Sequence, residues 1–377
     1  MTRRVLAVFG TRPEAIKMAP VVMAAARHGV ECQVAVTAQH RELLDKVLRD
    51  FDLRADYDLD IMQESQSLTS IATGVLQGMQ DVLDRAKPEL VLVHGDTSTT
   101  LYAAIAAYYR QISVGHVEAG LRSGDKYSPW PEEMNRQLAD RLSDLLFAPT
   151  PVARAALERE SCPGEIFVTG NTVIDAVRLM TGRERRWTRP ELGEMARAPF
   201  LVVVEAHRRE NIGERHRAIF RAIRRFADLR DVQVAFSVHP NPAVQEPVRE
   251  ILSDHPRIHL LEPLDYPEFM QLVSRAKLVL TDSGGLQEEC PALGVPLLLL
   301  RDTSERPEAI AAGVVRMVGY DEEDVLQAAL ELYDDPQAWG AMAQARNPFG
   351  DGKASDRIWQ AVLHWFGDVN EAPAPFL

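Results

Sequence analysis

The amino-acid sequence predicts an α/β protein made of two doubly wound, Rossmann-like domains. If their parallel sheets face one another, the carboxyl ends of the strands line a central cleft. Short apolar runs alternate with longer helical segments, which is typical of parallel strands covered by helices. A charged, poorly patterned segment at 182–198, followed by Pro199, interrupts this alternation. The length of 377 residues also exceeds that of one typical domain. These observations together predict two domains.

Each predicted domain has its own strands. Those of the first domain are predicted at 5–9, 32–36, 90–93, 112–117, 145–148 and 166–168, with helices at 42–48, 69–86 and 101–109. The chain then crosses into the second domain within 171–199. Strands of the second domain are predicted at 200–204, 233–237, 258–261, 278–281, 296–300 and 314–318. A closing helix at 354–365 follows the Gly- and Pro-containing turn at 347–352.

The composition limits the classes of partner. The 42 basic and 55 acidic side chains give a net charge of −13, which argues against nonspecific binding of nucleic acid. An anionic ligand would therefore need a local basic site. Cys32, Cys162 and Cys290 lack metal-ligand or redox spacing and suit a reducing cytoplasm. No apolar run is long enough to span a bilayer, so we expect a cytoplasmic protein without a membrane segment.

The stretch 278–289 carries the clearest ligand-binding pattern. A short apolar strand ends at Thr281 and is followed by Asp282, the Ser283-Gly284-Gly285 turn and the start of a helix. Backbone N–H groups at such a helix start suit a phosphate, and Glu289 could accept hydrogen bonds from sugar hydroxyls. The alternative is a glycine turn required only for steric reasons.

Polar side chains follow nearly every predicted strand at its carboxyl end, where doubly wound domains place their sites. The first domain contributes Asp96, Glu118, Glu132, Arg12 and Lys17; the second contributes His207, Arg208, Arg209 and His239. Crowded carboxylates shift one another's pKa, so that one can act as an acid while another remains a base. Singly, each has a simpler explanation: Asp96 could cap a helix, and Glu132 could stabilise a helix dipole. Their clustering on two domains favours a reaction site.

Several motifs resemble those of the bacterial non-hydrolysing UDP-N-acetylglucosamine 2-epimerases. They are GTRPEAIK at 10–17, VLVHGDT at 91–97, GHVEAGLR at 115–122, PWPEE at 129–133, HRREN at 207–211, DSGG at 282–285, RPE at 306–308 and NPFGDG at 347–352. The resemblance runs from about residue 5 to about residue 360, and the motifs occur in the order found in the family.

The resemblance implies a fold like that of GT-B glycosyltransferases. The first domain would comprise residues 1–170, with the last helix, about 354–377, packing back on it, and the second would comprise 171–353. It also implies a homodimeric isomerase that interconverts UDP-N-acetylglucosamine and UDP-N-acetylmannosamine for cell-surface polysaccharides. Neither nicotinamide nor an obligatory metal is expected. The reaction would eliminate UDP in an anti sense to give 2-acetamidoglucal, and add it back in a syn sense.

The resemblance assigns roles residue by residue. Asp96, Glu118, Glu132 and His207 are the expected catalytic residues, although which carboxylate is the base is left open. The expected substrate-binding residues are Arg12, Lys17, Arg136, His239, Ser283, Gly284, Gly285, Glu289 and Arg306. Gln39, Arg41, Arg209 and His239 belong to motifs that in some relatives bind a second substrate molecule as an activator. Ser65 replaces an arginine found in several relatives, and Glu205 replaces the usual threonine. Because an ionised Glu205 facing the phosphates would repel them, we expect it either to pair with Arg208, Arg209 or another local cation, or to turn away. Glu205→Thr should then leave the affinity for UDP unchanged or improved.

Two other functions would bind a UDP-sugar through the same residues. A retaining GT-B glycosyltransferase would pass the sugar to an acceptor and would need an open acceptor groove in the first domain. A nucleotide-sugar sensor would bind without turnover and would not need the acids. Three acids and a lysine after the strands of the first domain favour the epimerase.

Overall fold

The computed structural model describes residues 2–37, 41–61, 66–182 and 186–377. The chain divides into two compact units, Met1–Ala176 with Phe349–Leu377, and Val177–Pro348. Each unit contains a parallel β-sheet with helices between its strands. The predicted α/β class with two Rossmann-like sheets is confirmed.

The first unit is built on a sheet with the strand order β3-β2-β1-β4-β5-β6-β7. Its strands are β1 (Arg4–Phe9), β2 (Glu31–Val36), β3 (Tyr57–Asp58), β4 (Leu90–His94), β5 (Ser113–Val117), β6 (Leu145–Ala148) and β7 (Glu165–Val168). Its helices are α1 (Arg12–Ala25), α2 (Arg41–Asp50), α3 (Leu68–Ala86), α4 (Ser98–Tyr109), α5 (Glu132–Leu142), α6 (Pro151–Arg159) and α16 (Ala354–Trp365), while α7 (Thr172–Thr181) continues into the second unit. The chain reverses direction across the sheet between β1 and β4, and such a switch point is where doubly wound folds bind ligands.

The second unit repeats this arrangement with the order β10-β9-β8-β11-β12-β13. Its strands are β8 (Leu201–Glu205), β9 (Gln233–Ser237), β10 (Ile258–Leu261), β11 (Leu278–Thr281), β12 (Leu297–Leu299) and β13 (Val315–Met317). Its helices are α8 (Pro190–Met195), α9 (Glu214–Leu229), α10 (Pro242–Leu252), α11 (Tyr266–Val273), α12 (Leu286–Ala292), α13 (Pro307–Ala311), α14 (Glu322–Asp334) and α15 (Pro336–Gln344). The switch point of this sheet lies between β8 and β11, which pair in parallel.

The continuously apolar strands are buried, as their sequence pattern predicts. All five residues of β4 and all four of β11 are buried, as expected for strands covered on both faces. In the second unit the buried rings of Phe220, Phe226 and Phe236 belong to the core between the sheet and helices α9 and α14. These cores fix the carboxyl ends of the strands on which the polar residues lie.

The structure corrects some of the expected boundaries. The strand β3 was not predicted, because it is two residues long and has no apolar run; it pairs with β2 through Ala35 and Val36. The helix expected at 101–109 begins at Ser98, because the side chain of Thr97 accepts a hydrogen bond from the backbone N–H of Thr100. Thr97 is therefore the cap of this helix, and Asp96 is not.

The helix α16 is anchored to the first unit by Trp359. Its ring is completely buried, and its Nε1 donates a hydrogen bond of 2.7 Å to the backbone carbonyl of Val21 in α1. A buried tryptophan contributes a large apolar area together with a polar group that must find a partner.

We expect Trp359→Ala to lower the free energy of unfolding of the first unit by about 3–5 kcal/mol, because it leaves a cavity and removes the hydrogen bond to Val21. Trp365→Ala, which removes a half-buried ring from the end of the same helix, should cost less than half as much. Urea titration followed by far-UV circular dichroism measures both. Equal losses in the two variants would contradict an anchoring role for Trp359.

Candidate active site

The loops after β1 and β4 are joined by the buried carboxylate of Glu14. Its Oε2 accepts hydrogen bonds from the backbone N–H groups of Gly10 (3.0 Å) and Thr11 (2.7 Å). Its Oε1 accepts hydrogen bonds from the hydroxyl groups of Thr97 (2.7 Å) and Thr100 (3.2 Å). Burial raises the pKa of Glu14. The carboxylate thus fixes the two loops that flank the switch point of the first sheet.

Glu118, directly after β5, is held by donors from two other parts of the first unit. Its Oε2 accepts hydrogen bonds from the Nζ of Lys17 in α1 and from the Nδ2 of Asn171, the latter at 2.9 Å. The side chains of Lys17 and Glu118 are 14% and 10% exposed, so the ion pair is largely shielded from water. The φ of Glu118 is +67°, a left-handed conformation that side chains with a Cβ rarely adopt. Such strain is concentrated at functional sites.

Asp96 is tied to the helix that begins with Glu132. Its Oδ2 forms an ion pair with the Nη2 of Arg136, and its backbone carbonyl accepts a hydrogen bond of 2.9 Å from Asn135. Glu132 and Arg136 are four residues apart in α5 and therefore lie on the same face of it. The half-buried Glu132 carboxylate has no hydrogen bond or ion pair within the described residues.

A buried histidine supports the loop that carries Asp96. The Nδ1 of His116 lies 2.7 Å from Asp140 Oδ1, and its Nε2 lies 2.7 Å from the carbonyl oxygen of Gly95. The other oxygen of Asp140 accepts a hydrogen bond of 3.2 Å from the backbone N–H of Gly120. His116 and Asp140 were not among the expected site residues. Their sequence signal is weak, because a histidine inside an apolar strand does not show which backbone group it supports.

Arg12 is the first residue of α1 and is exposed. Its guanidinium has no hydrogen bond or ion pair within the described residues, so it is available to an anionic ligand. Glu133, the buried glutamate directly after Glu132 in α5, has a structural role: it accepts hydrogen bonds from the backbone N–H groups of Ser123 (3.0 Å) and Gly124 (3.4 Å). Of the two adjacent glutamates, Glu133 is held by these backbone contacts, whereas the Glu132 carboxylate has no such contact within the described residues.

In the second unit, Asp282 joins the loop after β11 to the loop after β8. Its buried carboxylate accepts hydrogen bonds from the backbone N–H groups of His207 (3.0 Å) and Arg208 (2.9 Å), and from Asn211 Nδ2 (3.0 Å). Burial alone would raise the pKa of Asp282, but the neighbouring His216 and these donors hold it below its usual range. One buried charge therefore organises the switch point of the second sheet.

The Ser283–Gly285 turn leads into α12 as predicted. The backbone N–H groups of Gly284, Gly285 and Leu286 have no acceptor among the residues that the structure describes. The guanidinium of Arg208 lies beside this turn, since a Cβ on Gly284 would come within 3.5 Å of its Nη2. Unpaired backbone donors beside an arginine form a suitable site for a phosphate.

His207 and His239 form a stacked pair next to this turn. Their ring centroids are 5.1 Å apart, and the ring planes differ by 12°. The Nδ1 of His239 accepts a hydrogen bond of 3.1 Å from the backbone N–H of Asn241. Burial lowers the pKa of His207, which favours a neutral ring at pH 7.

The sequence as a whole is similar to that of a known protein family. A protein-family model described as UDP-N-acetylglucosamine 2-epimerase matches residues 23–363. The chain belongs to the UDP-N-acetylglucosamine 2-epimerase family. It is 47% identical to the UDP-N-acetylglucosamine 2-epimerase of Bacillus subtilis (strain 168), over 99% of this chain and 98% of the relative.

Two solved structures that are similar to this chain contain nucleotide ligands. The Neisseria meningitidis UDP-GlcNAc 2-epimerase bound to UDP-GlcNAc has a TM-score of 0.83 and 45% identity, covering 95% of this chain and 99% of that one. The Staphylococcus aureus co-structure of MnaA with UDP has a TM-score of 0.88 and 42% identity, and each chain is covered completely.

Arg306 and Glu289, two further residues expected to bind substrate, form hydrogen bonds within the second unit. Arg306 Nε donates a hydrogen bond of 2.8 Å to the buried Glu288, and the hydroxyl group of Tyr266 donates one of 3.0 Å to Glu289. Arg208 lies 3.8 Å from Glu305. Tyr266 was not among the expected site residues, since it lies outside the motifs of the resemblance.

Glu205, which replaces the usual threonine, is the last residue of β8. Two positions were expected for it, either paired with Arg208, Arg209 or another local cation, or turned away from the phosphates. Burial, followed by the charges of Glu289 and Glu205, raises the pKa of the Cys290 thiol, so Glu205 is close enough to this buried cysteine to influence it. That Glu205→Thr leaves UDP affinity unchanged or improved remains a prediction.

The expected activator site is only partly described. Gln39, Ser65 and the side chain of Arg41 lie outside the described residues. Arg209 and His239 are both exposed.

Among the described residues, no group of three His, Cys, Asp or Glu side chains is arranged to hold a metal ion. None of the helices in these ranges has the length and apolar character needed to span a membrane.

We expect Asp282→Asn to lower the stability of the second unit by about 2–4 kcal/mol at neutral pH. A neutral amide is a weaker acceptor than the carboxylate for the N–H groups of His207, Arg208 and Asn211. The depressed pKa of Asp282 stabilises the fold above the ordinary aspartate pKa of about 3.9, and this stabilisation is lost as the pH falls through the folded value. The difference between wild type and variant should therefore shrink at acidic pH.

Asp302→Asn is the matched control, since its half-exposed carboxylate has, among the described residues, a single long ion pair of 3.9 Å with Arg215. Chemical denaturation at neutral and acidic pH measures both variants. A loss in Asp282→Asn no larger than that in Asp302→Asn would contradict the organising role of Asp282.

Proposed function

We propose that this member of the epimerase family interconverts UDP-N-acetylglucosamine and UDP-N-acetylmannosamine by elimination and readdition of UDP. The environment of Glu118 is the observation that supports this mechanism. Its backbone is in a strained left-handed conformation, and its largely buried carboxylate is held by Lys17 and Asn171. Family membership supports the substrates, as do the relatives whose structures contain UDP or UDP-GlcNAc. Residues 1–170 with about 354–377 would act on the sugar, and residues 171–353 would hold the nucleotide.

The first step breaks two bonds of the sugar. A carboxylate removes the proton from C2, the electron pair of that C–H bond forms the C1–C2 double bond, and the C1–O bond breaks with its electrons leaving on UDP. The products are 2-acetamidoglucal, UDP and a protonated carboxyl group, so atoms and charge balance. Elimination is anti and the readdition is syn. In the return step a proton reaches C2 from the opposite face while a phosphate oxygen of UDP bonds to C1.

Asp96, Glu118 and Glu132 are the candidates for moving this proton. Carboxyl groups are suited to general acid–base catalysis when their surroundings differ, and here they do. Glu118 is paired with Lys17, Asp96 is paired with Arg136, and the Glu132 carboxylate has no partner within the described residues.

The departing UDP gains negative charge, which cationic groups and backbone donors would stabilise. The N–H groups at the Ser283-Gly284-Gly285 turn and the neighbouring Arg208 are suited to the diphosphate. His207 would act on the phosphate side, and Arg12 would add positive charge. Further substrate contacts are assigned to His239, Glu289 and Arg306.

The proposed partners are UDP-N-acetylglucosamine, UDP-N-acetylmannosamine and UDP, with neither nucleic acid nor a membrane involved. The net charge of −13 supports the exclusion of nucleic acid. We further propose a cytoplasmic homodimer. A retaining glycosyltransferase remains the alternative from another reaction class, but the acids and lysine gathered in the first unit favour proton transfer.

Incubation with UDP-N-acetylglucosamine in heavy water, without an acceptor, should place deuterium at C2 of both epimers, because the abstracted proton exchanges with solvent. Proton NMR and mass spectrometry measure the incorporation. UDP-N-acetylmannosamine that retains the original hydrogen at C2 would contradict proton abstraction. If no epimer forms and sugar is transferred once an acceptor is supplied, the transferase alternative would be favoured.

Asp96→Asn, Glu118→Gln and Glu132→Gln preserve shape while removing the ability to exchange a proton. Since general acid–base catalysis contributes about 100- to 10,000-fold, we expect kcat to fall by that order in each variant that lacks a proton-transfer group. Glu158→Gln, on the exposed face of α6, is the matched control and should keep its activity. Wild-type kcat in all three site variants would show that these carboxylates have only structural roles.

A further inference from the structure

His94 is a buried polar side chain for which the proposed reaction has no role so far. It is the last residue of β4 and directly precedes the loop that carries Asp96; its side chain is 4% exposed. Neither ring nitrogen has a hydrogen-bond partner within the described residues. The nearest carboxylate is Glu118, whose Oε2 lies 3.9 Å from His94 Nε2.

An unpartnered imidazole is an unfavourable choice for a purely structural position. A buried polar group without a hydrogen bond is destabilising by about 1–3 kcal/mol, and an apolar ring would fill the same space without that penalty. We therefore expect the ring nitrogens to form a hydrogen bond at some stage of the catalytic cycle. The 3.9 Å gap to Glu118 is one that a small side-chain movement can close.

We propose that His94 is a positioning residue for Glu118, and that its neutral imidazole forms a hydrogen bond with the Glu118 carboxyl group while the latter gains and loses the substrate proton. This inference rests on the proposed epimerase function. Lys17 can only donate, so it suits the ionised carboxylate alone. A neutral imidazole nitrogen can donate to the carboxylate in one tautomer or accept from the carboxylic acid in the other. His94 thus suits both protonation states of Glu118.

The surroundings of His94 keep its ring neutral. Burial lowers its pKa to about 3, and the charged or titratable groups that act on it are Glu118 after β5, Lys17 on α1 and His116 on β5. Glu118 favours the protonated ring, whereas Lys17 and His116 oppose it. Between about pH 5 and pH 8 the ring therefore stays neutral and keeps both hydrogen-bonding options.

Two substitutions separate hydrogen bonding from packing. His94→Phe keeps a ring of similar size but removes both nitrogens, and His94→Gln keeps a donor and an acceptor on a flexible side chain. We expect His94→Phe to lower kcat by about 10- to 100-fold, the range for a lost hydrogen bond to a charged group, with KM for UDP-N-acetylglucosamine within about threefold of wild type. His94→Gln should remain within about tenfold of wild-type kcat.

Steady-state kinetics of the purified full-length variants, with circular dichroism to confirm folding, decide the outcome. A folded His94→Phe variant with wild-type kcat would overturn the inference, because His94 would then be packing alone. If His94→Phe does not fold, His94→Gln still decides: a folded glutamine variant that loses more than about 100-fold in kcat would contradict a hydrogen-bonding role. Failure of the wild-type protein to epimerise would instead reject the proposed function.

Discussion

The candidate site of the first unit depends on the interactions of one carboxylate, that of Glu118. Its Oε2 receives Lys17 from the helix after β1 and Asn171 from the segment after β7, and His94 at the end of β4 faces the same oxygen. The carboxylate after β5 therefore lies beside side chains from three other places in the sheet: the helix after β1, the end of β4 and the segment after β7. Its strained backbone conformation persists because these contacts over-determine it. A group held in this way is pre-organised, so little reorganisation is needed when a proton is transferred.

Each sheet uses a buried carboxylate at its switch point to join two loops. Glu14 joins the loops after β1 and β4 in the first unit, and Asp282 joins those after β8 and β11 in the second. Both accept hydrogen bonds from backbone N–H groups, so the exposed Arg12 and the half-buried Arg208 each lie beside a fixed backbone. The doubly wound fold supplies the crevice, and these acids hold its edges in a fixed position.

Much of the architecture was predictable, because strands covered on both faces must be continuously apolar, as β4 and β11 are. The two-residue β3 was not predictable, since it depends on pairing with β2 rather than on its own composition. The motifs identified Glu118 and Asp282, but not what holds them. The supporting contacts of His116, Asp140 and Tyr266 come from residues distant in sequence, and only the fold brings such partners together.

The proposed reaction breaks and remakes the bond between C1 of the sugar and UDP, and it requires Glu118. A heavy-oxygen label placed in the oxygen that bridges C1 and the β-phosphorus tests it most directly. After partial turnover, phosphorus NMR of the recovered UDP-N-acetylglucosamine should show the label in non-bridging positions for the wild type, and far more slowly for Glu118→Gln. Formation of UDP-N-acetylmannosamine while the label stays entirely in the bridge would contradict the account.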